Sequence, residues 1–265
     1  MPSPVKKAAD AARWRIGRAL VVERLNDDGT IRHPRPLRRL ATRFDQAIVE
    51  AGKTAPWVLD ADGVREYWAS RDTGKAGNDL RWYIEKDTRI IDLMAEFWSP
   101  EVGTEDSVLE LGPNAGPNLN RLHQLGYTKL FGVDINPRAL EEMREAFPGL
   151  AAVATMWNGS FEEVLPTFDD DSFDVVFTSG VLMHLHPSSH DVMRQMARIA
   201  RKHVCIIEPE ETSNTYVFPR NYKRVFRRFG CRHLRSVLVS PKSAPGDDRD
   251  LWPDGYVVRL FAAPA

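Results

Sequence analysis

The chain has 265 residues, of which 43% are hydrophobic and 28% are charged, and its formal net charge is -1. This composition is ordinary for a globular protein and excludes a disordered or fibrous chain. No apolar run approaches the roughly 18 to 20 residues of a membrane-spanning helix, and no apolar segment follows the charged N-terminus, so we expect a cytoplasmic protein with no membrane partner. Two cysteines, Cys205 and Cys231, are too few for a disulfide framework or a structural zinc site.

The first part of the chain is basic, because residues 1–55 contain 12 Lys and Arg but only 6 Asp and Glu. We interpret this N-terminal extension as a solvated basic face, and a patch for an anionic partner is the alternative. Its last helix is predicted to end at Gly52. Two more helices, over residues 63–72 and 80–98, predict that residues 56–106 form a helical cap segment.

From residue 107 onward, apolar runs alternate with helical segments, which is typical of a parallel α/β sheet. The predicted strands are SVLELG, KLFGVDI, AAVATMW, SFDVVFTSG and HVCIIEP, and the helices between them span residues 117–125, 137–146 and 189–201. A helix in NYKRVFRRFG and the strands HLRSVLVS and YVVRLFAA follow. The turn-rich segment between these last strands predicts an antiparallel hairpin. Residues 107–265 are therefore predicted to form one domain.

Two features at the ends of the first two strands of this domain indicate a nucleoside cofactor. The first strand runs into the turn Glu110-x-Gly112-x-x-x-Gly116, where backbone can approach a ligand. Asp134 ends the second strand, where a carboxylate can accept hydrogen bonds from ribose hydroxyls; a helix N-terminal charge is the alternative. A carboxylate at position 110 disfavours a pyrophosphate and suits a cationic amino-acid end. The predicted cofactor is therefore S-adenosylmethionine.

Residues 107–211 resemble the class I S-adenosylmethionine-dependent methyltransferases. The matching segments are VLELGPNAG, GVDINP, NGSFEEV, FDVVFTSGVLMHL and HVCIIEP. The resemblance implies an α/β fold: a Rossmann-like, seven-stranded, mostly parallel sheet with helices on both faces, a terminal antiparallel hairpin and an N-terminal helical extension. Asn114 stands where the family usually has a middle glycine, and this gives a weak resemblance to sugar-biosynthesis methylases.

The resemblance also implies which residues bind the cofactor. The glycine turn would contact the methionine portion, Asp134 the ribose, and Ser160 with Phe161 the adenine. Arg71 in the cap segment would reach the methionine carboxylate. The predicted cofactor-binding residues are Glu110, Gly112, Asn114, Gly116, Asp134, Ile135, Ser160, Phe161, Ser179 and Arg71.

Methyl transfer from a sulfonium is an in-line displacement, so a general base is optional. His184, which follows the fourth strand of the domain, is the predicted catalytic residue, and a structural loop residue is the alternative. The predicted acceptor-binding residues are Tyr67, Trp68, His186, Glu208 and Arg220. Core packing is the alternative for Trp68, and a solvated rim is the alternative for Glu208. No metal is predicted, because no cluster of His, Cys, Asp and Glu has ligand spacing.

A basic stripe between residues 220 and 235 contains Arg220 and a series of Lys and Arg at helical spacing. It could hold an anionic group of the acceptor, bind RNA, or pair with the acidic loop DDRD. We therefore expect a methyltransferase that acts on O or N of a small, polar, anionic or sugar-like molecule. An RNA methyltransferase is the alternative, although no RNA-binding module is recognisable. A non-catalytic protein that binds the cofactor structurally is the third hypothesis.

Overall fold

The computed structural model describes residues 24–25, 31–32, 43, 46–52, 60–70, 80–85, 88–210, 218–239 and 256–264. Two short strands, β1 (Arg24–Leu25) and β2 (Ile31–Arg32), pair antiparallel. Residues 46–50 are helical and end near Gly52, whose φ is 71°, as predicted. The cap segment contains helices α1 (Ala61–Ala69), α2 (Leu80–Ile84) and α3 (Arg89–Trp98). The domain boundaries at residues 55 and 106 stay predictions.

The single helix predicted over residues 80–98 is wrong, because α2 ends at Ile84 and α3 begins at Arg89. Thr88 directly precedes α3 with a φ of -111° and a ψ of 11°, which is outside regular helical geometry. The break lets α3 turn its apolar side to the sheet, where Ile91, Met94 and Trp98 have no exposed surface.

The domain that follows alternates strands and helices almost as predicted. Its elements are β3 (Ser107–Leu111), α4 (Pro117–Gln124), β4 (Lys129–Asp134), α5 (Pro137–Ala146), α6 (Pro148–Ala151), β5 (Thr155–Asn158), α7 (Phe161–Val164), β6 (Phe173–Ser179), α8 (Asp191–Ile199), β7 (Ala200–Pro209), α9 (Tyr222–Arg228), β8 (Arg232–Val239) and β9 (Tyr256–Ala262). The strand predicted in AAVATMW begins later than expected, because Pro148 opens the short helix α6 at the first helical position. Short 3-10 turns span Leu165–Thr167, Leu182–His184 and Pro187–Ser189.

Seven strands form one sheet in the order β5-β4-β3-β6-β7-β9-β8. The first five strands in this order are parallel to one another, whereas β9 is antiparallel to both β7 and β8. This confirms the predicted fold class and the terminal antiparallel pair, and the segment that joins β8 to β9 lies outside the described residues. The direction of the strand order reverses between β3 and β6. Ligands of open α/β sheets bind at such a reversal, beyond the carboxyl ends of the strands.

Helices cover both faces of the sheet, because alternate residues of its central strands enter two separate cores. On β6, Val175 and Phe177 pack with α3 and α4 on one face, while Val176 packs with α8 and α9 on the other. All three side chains are fully buried. Within the part of the chain that the structure describes, no helix has both the length and the apolar character needed to cross a membrane.

Candidate functional site

A cleft of about 1000 Å3, measured with its open mouth, lies at the carboxyl ends of β3, β4 and β6. Helices α1 and α2 of the cap segment form its opposite wall. Ten of the predicted site residues line this cleft: Trp68, Gly112, Asn114, Asp134, Ile135, Ser160, Phe161, Ser179, His184 and His186. Sequence positions that are far apart are therefore brought together where the strand order reverses.

Asp134 is fixed at the cleft wall by two backbone donors. The Asn114 N–H donates to Oδ2 at 2.8 Å, and the Asn136 N–H donates to Oδ1 at 2.9 Å. Burial raises the pKa of Asp134, and the N–H groups of Asn136 and Asn114 oppose that rise because they favour the carboxylate. Asn114 adopts a φ of 52°, a left-handed conformation that asparagine tolerates in place of glycine. The carboxylate keeps lone pairs for further donors such as hydroxyl groups.

The two glycines of the turn, Gly112 and Gly116, face different parts of the structure. Gly112 lines the cleft with a φ of 71°, and a Cβ atom there would lie 2.6 Å from a methyl carbon of Val181. The turn and the segment after β6 are thus in direct contact. Gly116, with a φ of 78°, is turned the other way, since its Cβ would lie 2.5 Å from Cγ of Met143 on α5. The prediction that Gly116 lies against the methionine portion is therefore corrected: it allows α4 to begin close to α5.

Glu110 is also not at the cleft wall, contrary to prediction. Its side chain has no exposed surface, and it accepts a hydrogen bond from Nδ2 of Asn118 on α4 at 2.7 Å. Glu110 therefore ties β3 to the first turn of α4 from behind the glycine turn. Glu110 is on the face of β3 that packs against α4. The spacing between Glu110 and Gly112 in the sequence does not show which face of the strand Glu110 occupies.

The predicted adenine end combines apolar surfaces with a helix start. Ile135 and Phe161 line the cleft, and Ser160 caps α7. The Ser160 hydroxyl donates to Oε2 of Glu163 at 2.8 Å, which lowers the pKa of Glu163. This hydroxyl is engaged in a capping box, so the side chain of Ser160 mainly shapes the wall.

Helix α1 closes the cleft with residues on one side of the helix. Ala61, Val64, Arg65 and Trp68 all line it, at the three- and four-residue spacing of one helical face. Nη1 of Arg65 lies 3.7 Å from Oε1 of Glu162 on α7, so the cap and the adenine end are linked. Arg65 and Glu162 were not among the predicted site residues. Arg65 could have been predicted, because it precedes Trp68 by three residues and so lies on the same face of the helix.

Trp68 and His184 join the cap to the segment after β6. Their ring centroids are 4.5 Å apart with an interplanar angle of 49°. Tyr67 packs edge-on against Trp68, with centroids 5.1 Å apart, and does not line the cleft. Tyr83 of α2 does line it and was not among the predicted site residues. Arg71 lies outside the described residues.

His186 and Ser179 complete the wall beside His184. Nδ1 of His186 accepts a hydrogen bond from the Ser188 N–H at 3.1 Å and so caps the turn Pro187–Ser189. Burial, followed by the charge of Arg220, lowers the pKa of His186. His186 is therefore a neutral, structurally engaged imidazole near neutral pH.

Glu208 and Arg220 are not acceptor-binding residues in this geometry, and both predictions are corrected. The side chain of Glu208 is fully buried, and Arg220 is 1% exposed. Each one hydrogen-bonds to backbone of residues 181–185, and neither lines the cleft. The sequence indicated that Glu208 ends a strand and that Arg220 lies near a helix. It did not indicate that both side chains are buried against the backbone of residues 181–185.

The basic stripe is partly engaged by Glu50 of the N-terminal extension. Nη1 of Arg224 lies 3.2 Å from Oε2 of Glu50, and Nη2 of Arg228 lies 3.4 Å from the same oxygen. The acidic loop DDRD that was predicted as a partner lies outside the described residues. Among the residues with described positions, no group of three or more His, Cys, Asp or Glu could hold a metal ion, and metal independence stays a prediction.

Comparisons with known proteins identify the domain and the fold. Residues 109–207 match the family of methyltransferase domains, and no curated protein matches the chain. The magnesium protoporphyrin IX methyltransferase of Synechocystis PCC 6803 with bound S-adenosylhomocysteine has a TM-score of 0.57 and 14% identity, and the match covers 78% of this chain and 100% of that one. An S-adenosylmethionine-dependent methyltransferase from Mesorhizobium loti has a TM-score of 0.53 and 14% identity, with coverage of 68% and 99%.

A third similar structure is the [4+2]-cyclase SpnF, with a TM-score of 0.54, 13% identity and coverage of 86% of this chain and 96% of that chain. The fold alone is thus not confined to methyl transfer. The match to a methyltransferase domain adds information that the fold lacks, since it covers the glycine turn, Asp134 and most of β7. Residues 109–207 therefore match a methyltransferase domain, and the chain shares its fold with S-adenosylmethionine-dependent methyltransferases.

Proposed function

We propose that this protein transfers a methyl group from S-adenosylmethionine to an oxygen or nitrogen atom of a small molecule that binds beside His184. The observation that carries this proposal is the single cleft that extends from Asp134, past Gly112, to His184 and Trp68. A ligand held at Asp134 and an acceptor at His184 would share one enclosed space. Binding both reactants in one cleft would make a bimolecular reaction effectively unimolecular, with the reacting atoms held in a fixed geometry.

The residues that line the cleft would bind the ribose, the adenine and the methionine portion of the cofactor at successive positions. Asp134 would accept the ribose hydroxyls, and Ile135 with Phe161 would enclose the adenine. Gly112 and Asn114 would face the methionine portion, where a side chain at position 112 would displace Val181. When bound, S-adenosylmethionine supplies an electrophilic methyl group on a positively charged sulfur.

The other end of the cleft would bind the acceptor. Trp68 and Tyr83 give aromatic walls, and His184 lines the same cleft with its ring against Trp68. We propose that His184 orients the acceptor atom and takes its proton where the acceptor must lose one. Helices α1 and α2 would shield this end from bulk water, and this would limit loss of methyl groups to solvent.

A ring-shaped acceptor, sugar-like or aromatic, fits these walls because flat apolar faces pack on Trp68 and Tyr83. Support for an anionic acceptor is weaker than the sequence suggested, since Arg220 is buried away from the cleft. RNA is the second candidate, and it is supported by exposed basic residues of α9 such as Lys223 and Arg227. Against RNA, Arg224 and Arg228 of the same helix already contact Glu50.

The experiment is methyl transfer from labelled S-adenosylmethionine, with a small-molecule extract and total RNA offered in separate reactions. We expect label in a small molecule, and we expect that at limiting cofactor the variant Asp134→Asn transfers much less label. Label in RNA would overturn the acceptor class. Tight cofactor binding without transfer to either pool would contradict the catalytic proposal and favour a structural role for the cofactor.

A further inference from the structure

The segment over residues 180–186, here called the histidine loop, connects the cofactor end of the cleft with the acceptor end. At its start, Val181 is so close to Gly112 that any side chain at position 112 would displace it. At its centre, His184 contacts Trp68 of the cap. A shift of this loop would therefore move the proposed catalytic histidine relative to the cofactor end of the cleft.

The loop is held on one side by a carboxylate from the end of β7. Oε1 of Glu208 accepts hydrogen bonds from the N–H groups of Val181 at 2.8 Å and Leu182 at 2.9 Å. Oε2 accepts one from the N–H of Met183 at 3.2 Å. Three consecutive N–H groups at the start of the turn Leu182–His184 thus share one acceptor group, although their own N-cap, Val181, has no side chain that could serve.

The loop is held on the other side by a guanidinium from the segment before α9. Nη1 of Arg220 donates to the carbonyl of Leu182 at 2.8 Å, and Nη2 donates to the carbonyl of Leu185. Nη1 also donates to the carbonyl of Phe218 at 3.1 Å, while the Phe218 N–H donates to the carbonyl of Met183 at 2.6 Å. The N–H groups of residues 181–183 and the carbonyls of Leu182, Met183 and Leu185 are therefore bound by groups from distant parts of the chain.

Two buried charges are costly unless each is satisfied by several strong hydrogen bonds. Here both residues hydrogen-bond to the same five-residue stretch, 181–185, and neither residue lines the cleft. Simple stabilisation would be achieved as well by apolar side chains of similar size. A requirement for one particular loop conformation explains the charges better, because charge-assisted hydrogen bonds are directional.

We propose that Glu208 and Arg220 are positioning residues that hold the histidine loop in the single conformation that presents His184 to the acceptor. The geometric part of this inference stands without the proposed function, whereas the effect on turnover rests on it. Glu208 acts on the N–H side of the loop and Arg220 on the carbonyl side. Loss of either one should release the loop while the sheet and the cofactor wall at Asp134 remain in place.

The first test is hydrogen–deuterium exchange of the peptide that contains residues 181–185, which needs no acceptor. The variant Glu208→Gln is nearly isosteric but offers an amide N–H where Met183 needs an acceptor. We expect exchange at residues 181–183 to be at least roughly tenfold faster than in the unsubstituted protein, as for loss of charged hydrogen bonds. The variant Arg220→Lys keeps the positive charge but loses the two-pronged guanidinium donor. It should accelerate hydrogen–deuterium exchange of the same peptide.

The matched control is Glu210→Gln, two residues beyond Glu208. Among the residues that the structure describes, Arg259 holds the side chain of Glu210 at 2.9 and 3.0 Å, away from the histidine loop. In Glu210→Gln, the peptide that contains residues 181–185 should exchange at the same rate as in the unsubstituted protein. Unchanged loop exchange in both Glu208→Gln and Arg220→Lys would overturn the proposal. If Glu208→Gln does not fold, Arg220→Lys decides alone.

The second test is the pH dependence of loop exchange after correction for the intrinsic rate. Burial raises the pKa of Glu208 to about 7, opposed by the three loop N–H groups and by Arg220. The other groups that face Glu208 are Tyr222 of α9 and Tyr256 of β9, and both stay neutral because burial raises the pKa of each. Release of the loop removes three N–H donors from Glu208 while the residue stays buried beside Tyr222 and Tyr256, so the pKa of Glu208 is higher with the loop open than with it closed. Protection should therefore fall as pH falls through about 7, and this change should be absent in Glu208→Gln. A pH dependence that persists in the variant would assign it to the histidines instead.

The third test separates positioning from stability with S-adenosylmethionine as the probe. For Arg220→Lys and Glu208→Gln we expect cofactor affinity within roughly threefold of the unsubstituted protein but labelled-methyl transfer reduced by tenfold or more. Equal losses in affinity and turnover would contradict a role through His184. Absence of transfer in the unsubstituted protein would overturn the proposed function and leave the exchange result as the test of this inference.

Discussion

At the scale of single residues, Asp134 joins the cofactor wall to the sheet. It ends β4, and the N–H groups of Asn114 and Asn136 hold its two oxygens. Only 7% of its surface is exposed, so an entering hydroxyl would meet a carboxylate that is oriented before binding. Preorganisation of this kind lowers the cost of ordering the ligand.

The substitution Asp134→Asn should weaken S-adenosylmethionine binding at least tenfold. A hydrogen bond to a charged group contributes on the order of 1.5 to 3 kcal/mol, and the amide also clashes with one of the two backbone donors. Calorimetric titration measures the affinity, and Asp171→Asn, an exposed carboxylate elsewhere, is the control. An unchanged affinity in Asp134→Asn would remove Asp134 from the site.

The substitution His184→Ala should lower turnover by more than it lowers cofactor affinity. An interaction made with the reacting acceptor appears in the chemical step, whereas the cofactor wall at Asp134 and Phe161 is untouched. Steady-state kinetics with the acceptor found by labelled transfer gives kcat, and titration gives the affinity. A variant with wild-type kcat would make His184 a structural partner of Trp68 and nothing more.

Among the predicted site residues, those that line the cleft are mostly ones whose location follows from backbone position. Gly112, Asp134 and Phe161 follow strand ends, and parallel strands bring their ends to one edge. Glu110, Glu208 and Arg220 were misplaced because their roles depend on side-chain direction and on distant loops. No local pattern contains that information, since the loop that Glu208 and Arg220 hold is 20 to 40 residues away in sequence.

At the scale of elements, helix α1 determines the shape of the cleft. Asp60 caps it by accepting a hydrogen bond from the Gly63 N–H at 2.9 Å, and Trp68 at its other end meets His184. Its amphipathic spacing was visible in the sequence, but its partner surface was not. The break between α2 and α3 was also hidden, because both helices have helix-forming residues and the apolar pattern continues across the gap.

The first turn of α4 gives a prediction about stability. Gly116→Ala should destabilise the protein by about 2 to 4 kcal/mol, because a φ of 78° is unfavourable for alanine and the added Cβ meets Met143. Denaturant unfolding measures the change. The control is Gly103→Ala, whose Cβ would meet nothing within 4 Å.

The folded fraction of Gly116→Ala should still bind S-adenosylmethionine with an affinity near that of the unsubstituted protein, since Gly116 does not line the cleft. A variant of normal stability that fails to bind the cofactor would contradict this geometry and restore Gly116 to the ligand wall.

At the scale of the whole molecule, the mostly parallel sheet and the covering helices were predictable from alternating apolar runs. The parallel strands that are buried on both faces carry nearly continuous Val, Ile and Leu, and the turn-rich segment before β9 signalled the change to antiparallel pairing. The cap could not be placed by the same reasoning, because the apolar face of a helix does not specify which surface it covers. The cleft exists only because that cap lies over the carboxyl ends of β3, β4 and β6.

The most direct test of this account is a crystal structure of the protein with bound S-adenosylhomocysteine. We predict the ribose hydroxyls at the carboxylate of Asp134, the adenine between Ile135 and Phe161, and the sulfur directed along the cleft toward His184, with the histidine loop still held by Glu208. A ligand bound elsewhere, or one whose sulfur faces away from the space between His184 and Trp68, would contradict the account.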